Sequence, residues 1–314
     1  MFPLGIDIGS TRLRVTAVSD RRGKTRVHNV VVRDLPSGAS SSGHVASPGV
    51  VAEILRDAVD EARVHERHCV AALSNDAATM RTVTFPPMSG FERAKAARFE
   101  AARFVDYPPE ECTVRLVPRE RRGDYILGIA RSAAIASRLK VLRAAGLRAV
   151  AIDHEACAWR RAVRDVDCVV DVGLARSTVI VFADPLADVR TFPAGGDAVT
   201  EHIARSLCID KGTAEQRKRN GGEALLAEPG GIVAEIADAI LEMRSAGHGI
   251  RRIGLAGNGA RIEGLPGALE RATGVTTVMA EFPESLVSDY PSDVMRAGAP
   301  DWLFAYGIAL WSAS

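Results

Sequence analysis

Leu4-Gly5-Ile6-Asp7-Ile8-Gly9-Ser10-Thr11-Arg12-Leu13-Arg14-Val15 is an apolar run that ends in an acid, turns tightly through Gly-Ser-Thr and returns as a second run. The pattern predicts two strands joined as a hairpin. A turn of this kind aims several backbone N–H groups at one point, a nest that suits an anion such as a phosphate. Gly9 has no Cβ to hold a phosphoryl group away from the backbone. Asp7, at the strand end, is placed to hold a hard cation or its water shell. Asp-x-Gly-Ser is also an ordinary hairpin turn, so a single copy decides nothing.

The unit occurs twice. Val169-Val170-Asp171-Val172-Gly173 leads through Leu174-Ala175-Arg176-Ser177 into Thr178-Val179-Ile180-Val181-Phe182, with strand, Asp-x-Gly, turn and strand in the same order. Recurrence of a whole supersecondary unit about half a chain apart predicts two related halves, with the hairpins opposed across a cleft.

The bulk numbers fit this picture and exclude others. A chain of 314 residues has room for two or more domains with real cores. Its 47% hydrophobic and 25% charged content is that of a soluble globular protein. A net charge of +1 gives no general footprint for nucleic acid. The five cysteines (Cys69, Cys112, Cys157, Cys168, Cys208) include no Cys-x-x-Cys pair, which predicts reduced, mostly buried thiols and no metal cluster. No apolar run nears a membrane span, so a cytoplasmic protein without direct membrane insertion is expected.

In chain order, Arg26–Asp34 predicts a third strand and Leu35–Gly43 a mobile loop. Ser47-Pro48 offers an N-cap and a first-turn proline for a helix through Val50, Val51, Ile54, Leu55, Ala58, Val59 and Ala62. Cys69–Leu73 predicts a buried strand. A separate α/β unit follows: a strand at Arg81–Phe85, a helix at Phe91–Phe104, strands at Val114–Val117 and Tyr125–Ala130, and a helix at Ala133–Ala145 closed by Gly146. Leu147–Ile152 returns the chain to the core, and Asp153-His154-Glu155 opens a helix reaching Val163. After the second hairpin come a strand at Asp188–Phe192, helices at Val199–Leu207, Lys211–Lys218 (ended by Asn220-Gly221-Gly222) and Ile232–Ser245, and a strand at Arg251–Ala256. Gly257-Asn258-Gly259-Ala260 is a turn that leaves room for a flat ligand. A helix at Pro266–Ala272, a strand at Thr276–Met279 and a helix at Trp302–Trp311 complete the chain.

This ordered set resembles the actin-like ATPase superfamily and, more narrowly, the PilM family of type IV pilus assembly proteins, relatives of the division protein FtsA. The resemblance rests on Leu4–Ser10, Ala144-Ala145-Gly146-Leu147, Gly195-Gly196-Asp197 with Thr200, and Ala214-Glu215-x-x-Lys218 followed by Gly221-Gly222. Gly257-x-Gly259-Ala260-Arg261 and Tyr306-Gly307-Ile308-Ala309-Leu310 complete it. It implies an α/β fold, actin-like (ribonuclease H-like), with two domains and a small inserted subdomain. The first domain would be 1–79, completed by 152–167 and 290–314, the insertion 80–151, and the second domain 168–289 with a helical part near 208–247.

The resemblance also implies ATP or ADP with Mg²⁺ in the cleft. Asp7 and Asp171 would hold the metal through water, and Gly9, Ser10, Thr11 and Gly173 would cradle phosphates. Arg14 stands where relatives often carry a phosphate-binding lysine. Glu155, with Asp171, would serve catalysis by orienting the attacking water. Glu215 and Lys218 would meet ribose and adenine, Gly257, Asn258 and Gly259 would form the adenosine floor, and Gly195 and Gly196 would allow close approach near the phosphates. Two departures, Ala175-Arg176 in place of small hydroxyl residues and Asn258 in place of a glycine, predict slow turnover at most. The implied partner is the short cytoplasmic tail of a membrane-anchored, PilN-like platform protein, which would hold this chain beside the inner membrane; self-association is a further expectation. The tail's groove would be formed by the Arg81–Phe85 strand, the Phe91–Phe104 helix and the strand at Tyr125–Ala130, with an available edge, and Phe85, Phe99 and Phe104 would either line it or fill the insertion's own core. The alternatives are a metabolite kinase of the same fold, a nucleotide-free pseudo-ATPase scaffold and an FtsA-like division protein, the last disfavoured because no amphipathic anchor follows the final helix.

Overall fold

A computed structural model describes residues 2–21, 24–41, 44–220 and 231–312. The first hairpin consists of β1 (Leu4–Ile8) and β2 (Arg12–Arg21), antiparallel, with Asp7 opposite Arg14. β3 (Lys24–Asp34) continues the meander. The segment expected to be a loop holds a small ladder of β4 (Ser40–Ser41) and β5 (His44–Val45). Helix α1 (Pro48–Glu61) has Pro48 in its first turn and buries Val51, Ala52, Leu55, Ala58 and Val59, leaving Val50 exposed. β6 (His68–Leu73) then pairs parallel with β1.

The inserted unit is β7 (Ala78–Thr84), α2 (Gly90–Ala101), β8 (Cys112–Pro118) and β9 (Asp124–Arg131), with strand order β7-β9-β8. Its small core comprises Val83, Ala97, Ala101, Cys112, Leu127 and Ile129, with Phe85 and Phe104 against it. The strand at Tyr125–Ala130 is central and paired on both sides, so the edge available to a groove is β7, which carries most of the expected Arg81–Phe85 strand, or β8. One expectation needs correction: Phe99 is 80% exposed and does not fill the core; Phe91 is 71% exposed. Ala97 and Ala101 face the sheet, and Phe99, two positions on from Ala97, points about 200° away round the helix.

Helix α3 (Ser132–Ala144) closes with Gly146 at φ 79°, and the N–H groups of Gly146 and Leu147 return to the carbonyls of Arg143 and Leu142. Val141 and Leu142 of α3 belong to the core of the first sheet, and β10 (Arg148–His154) pairs with β6. α3, placed within 80–151 by the sequence reading, therefore packs with the first half, and β10 is the return of Leu147–Ile152 to the core.

α4 (Glu155–Ala162) leads to β11 (Cys168–Val172) and β12 (Ser177–Val181), which pair antiparallel with Asp171 opposite Thr178, and to β13 (Asp188–Phe192). α5 (Gly196–Leu207), α6 (Lys211–Asn220) and α7 (Ile232–Ser245) follow; Gly221-Gly222 lies outside the described residues. β14 (Arg252–Ala256), α8 (Leu265–Thr273), β15 (Thr276–Met279), β16 (Val287–Ser288) and α9 (Ser292–Ala309) complete the described chain.

The sheet orders are β10-β6-β1-β2-β3-β16 and β13-β12-β11-β14-β15. Apart from the appended β16, they share one order and one pattern of parallel and antiparallel neighbours, so the repeat is structural. A core of Trp159, Ala162, Val169, Ile180, Ala256, Leu303 and Tyr306 draws on both halves through α4 and α9. α9 lies directly on β1 because residue 5 is glycine: a Cβ there would overlap the Ala305 carbonyl oxygen. α9 also starts well before the expected Trp302. Gly298 and Pro300 read as helix breakers, yet both are buried inside it. The proline removes one intrahelical donor, while its own carbonyl accepts the Gly257 N–H at 2.8 Å and pins the helix to the second half.

Candidate functional site

The two hairpin turns face one cleft of about 890 Å³. Each turn is closed by the same bond, Gly9 N–H to the Arg12 carbonyl and Gly173 N–H to the Arg176 carbonyl, both 2.9 Å. A Cβ at Gly9 or Gly173 would press on those carbonyls at 3.0 and 2.9 Å, so closure of the turn explains both glycines. Their N–H groups are thus not available to a ligand. Those of Ser10, Thr11, Leu174 and Ala175 make no hydrogen bond among the described residues, and all four residues line the cleft. Together they are the opposed nests that the sequence predicts.

Charge divides the hairpins. In the first, Arg14 donates to Asp7 at 2.6 Å and to Asp301, and Arg12 reaches Asp301 and Asp34, both at 3.2 Å. Burial alone would lower the Arg14 pKa, but the charges of Asp7 and Asp301 outweigh it and raise it. Arg14 therefore holds Asp7 rather than projecting freely toward a phosphate. In the second hairpin the position opposite the acid is the neutral Thr178, and Asp171 has no hydrogen bond or ion pair among the described residues. Burial raises its pKa to about 6, against the pull of Arg176. Arg176 crosses the cleft to Asp76 and sits 3.5 Å from Glu155.

Glu155 opens α4, where the His154 ring caps the helix by accepting the Ala156 N–H at 3.1 Å and its other nitrogen meets the Ala78 carbonyl. The Glu155 carboxylate accepts the Asn75 N–H. Burial raises its pKa to about 7 despite the pull of Arg176.

Beyond the hairpins, Lys218 is buried, contrary to a surface lysine's habit, and its ammonium meets the Gly196 carbonyl (2.9 Å), Thr200 Oγ1 (2.7 Å) and Glu215 (2.5 Å). Burial alone would raise the Glu215 pKa, but bonds from Lys218 and Thr200 outweigh it and lower it. Gly195 does not line the cleft: a Cβ there would strike the Leu174 carbonyl, so this glycine lets α5 dock on the second turn. Every other predicted site residue lines it. Gly257 has φ 78°, and a Cβ on it would overlap the Asp171 carboxylate, while Gly259 sits against Val172. Asn258 starts the turn between them.

Asp301, Arg138 and Asp76 were missed. Asp301 falls one residue before the expected start of the last helix. Arg138 carried a legible signal, a lone cation on the face of α3 shared by Ala134, Val141 and Leu142. Asp76 lies in a turn with no pattern.

With this geometry described, comparisons decide the family. A model of the type IV pilus assembly protein PilM matches residues 5–313. The chain belongs to the PilM family. Among solved structures, a PilM-PilN type IV pilus biogenesis complex is 27% identical with a TM-score of 0.82, covering 99% of this chain and 98% of the other. Ethanolamine utilization protein EutJ from Carboxydothermus hydrogenoformans is 17% identical with a TM-score of 0.61, covering 99% and 90%. MreB5 of Spiroplasma citri bound to ADP is 12% identical with a TM-score of 0.50, covering 88% and 91%. The last two show the actin-like fold alone. The PilM family match spans both sheets and the insertion. Among the described residues no helix is long and apolar enough to cross a membrane, and no group of three or more His, Cys, Asp or Glu is gathered as for a metal.

Proposed function

We propose that this type IV pilus assembly protein binds ATP or ADP with Mg²⁺ in the cleft and a short, PilN-like cytoplasmic tail on its insertion. The observation that carries the nucleotide is the pair of opposed turns whose Ser10, Thr11, Leu174 and Ala175 N–H groups have no partner among the described residues. Those groups would hold phosphates, and Asp171 would hold the cation through its water shell. Asp7, paired with Arg14, would anchor the first turn instead. Gly257, Asn258 and Gly259 would floor the nucleoside beside Glu215, which Lys218 orients. The bound metal would supply charge neutralisation at the phosphates. The Glu155 carboxylate is already engaged by Arg176 and by the Asn75 N–H, so it is not free to orient an attacking water, which supports slow turnover.

The tail reading is supported by the similarity to a PilM-PilN complex and by the surface itself. β7 and β8 are edge strands, and α2 exposes Phe91 and Phe99. An extended peptide adds to such an edge through backbone hydrogen bonds. The tests are thermal denaturation with Mg-ATP and binding of synthetic platform-protein tails. Ligand at about a hundred times its Kd adds roughly 2.7 kcal/mol to stability. No shift at millimolar Mg-ATP would sink the nucleotide reading. Unchanged tail binding after Phe91→Ser and Phe99→Ser would sink the placement of the tail.

A nucleotide-free scaffold is the second reading. It is favoured by the ion pairs that already bridge the cleft, from Arg176 to Asp76 and Glu155.

A further inference from the structure

Among the described residues seven cations line the cleft: Arg12, Arg14, Arg138, Arg176, Lys218, Arg219 and Arg261. Six have partners: Arg12 and Arg14 pair with Asp301, Arg176 with Asp76, Lys218 and Arg219 with Glu215, and Arg261 donates to the Ala297 carbonyl. Arg138 does not. It is 5% exposed, and its Nε and Nη1 are sealed from solvent with no hydrogen-bond partner among the described residues. A buried guanidinium without a counter-charge is expensive, and apolar helix faces do not keep one without a cause. The planar guanidinium fork suits an oxyanion, two of whose oxygens it can engage at once. Burial works against its charged form, with Asp7 alone supplying attraction and Arg176 opposing it.

We infer that Arg138 takes the terminal phosphoryl group of a nucleoside triphosphate and reports it to the inserted unit. This rests on the nucleotide reading above and adds to it a residue that discriminates triphosphate from diphosphate. The route outward is covalent and short. α3, which carries Arg138, begins at the residue after β9, the central strand of the insertion's sheet. Ser132 at its start shares a hydrogen bond of 2.9 Å with Thr113 on β8, an edge strand. On its other side α3 is fixed in the core of the first sheet through Val141 and Leu142. An anion that draws Arg138 inward therefore acts on the helix that links the cleft to the central strand and one edge strand of the insertion.

The test is equilibrium binding of Mg-ATP, Mg-ADP and inorganic phosphate to the full chain and to Arg138→Met and Arg138→Lys. Hydrogen exchange across residues 78–131 is followed in parallel. Arg138→Met keeps the apolar stem and removes the unpaired charge, so it is expected to melt no lower than the parent; Arg138→Lys serves should it fail to fold. Loss of about tenfold or more in ATP affinity with ADP changed less than about threefold is expected, with partial recovery in Arg138→Lys. ATP should slow exchange in β8 and β9 of the parent and not of Arg138→Met. A parent that binds ATP with a preference unchanged in Arg138→Met overturns this inference and leaves the nucleotide reading standing. A parent that binds neither nucleotide overturns both. Binding of inorganic phosphate alone, lost in Arg138→Met, would make this a free-phosphate site and overturn the triphosphate assignment.

Discussion

The two hairpins share strand order, register, the glycine bond that closes each turn and the arginine whose carbonyl accepts it, Arg12 or Arg176, yet they differ at the position opposite the acid. Asp7 faces Arg14 and is neutralised by it; Asp171 faces Thr178 and is left without a partner among the described residues. The fold requires only the strand, the glycine turn and the returning strand. Chemistry is then set by one residue across the ladder, which decides whether the acid is a structural anchor or a free ligand. In the first hairpin the acid is tied through Arg14 and Asp301 to α9; in the second, on the nucleotide reading proposed above, it is the one free to hold the cation.

The largest effect should come from the strand itself. Residue 5 matches residue 169 in the repeat, where valine is accommodated. Gly5→Val should cost about 5 kcal/mol and leave little folded protein, because β1 and α9 cannot separate to admit the side chain. Normal expression and melting of this variant would contradict the packing of α9 on β1.

Breaking the anchor comes next. Asp301→Ala strands the buried Arg14 guanidinium and should cost about 3–5 kcal/mol in urea denaturation. Adding Arg14→Met should recover part of that loss. If the two losses simply add, the pair is not the anchor described.

The buried cleft acid Glu155 carries a pH signature. The Glu155 pKa rises from 4.5 to about 7 on folding, so between those values the folded chain binds a proton that the unfolded chain has lost. Stability of the parent relative to Glu155→Gln should therefore fall by about 3 kcal/mol as pH rises through that window, and level off above it. A relative stability that rises with pH would show that Glu155 is ionised and well paired. The smallest effect belongs to Asp34, exposed beside Arg12, where Asp34→Ala should change stability by less than about 0.5 kcal/mol.

Much of this was legible because local rules sufficed. Apolar runs ending in Asp-x-Gly reveal the repeat, and helical periodicity locates α1 and α7. Three features were not. The Arg14–Asp301 pair joins residues 287 apart, and nothing local in either segment announces the other. Pro300 breaks the periodic reading of α9, whereas burial and the bond to Gly257 keep the helix whole. The insertion's strand order depends on β7 pairing with a strand that lies beyond α2 and β8, which spacing alone leaves open.

The division of labour between the hairpins is tested most directly by calorimetric titration of ATP, with and without Mg²⁺, into the parent, Asp7→Asn and Asp171→Asn. The account predicts that Mg²⁺ strengthens binding by about tenfold or more in the parent and in Asp7→Asn, and that Asp171→Asn erases the strengthening. Loss of Mg²⁺ dependence in Asp7→Asn with its retention in Asp171→Asn, or a parent that takes up no nucleotide, would contradict it.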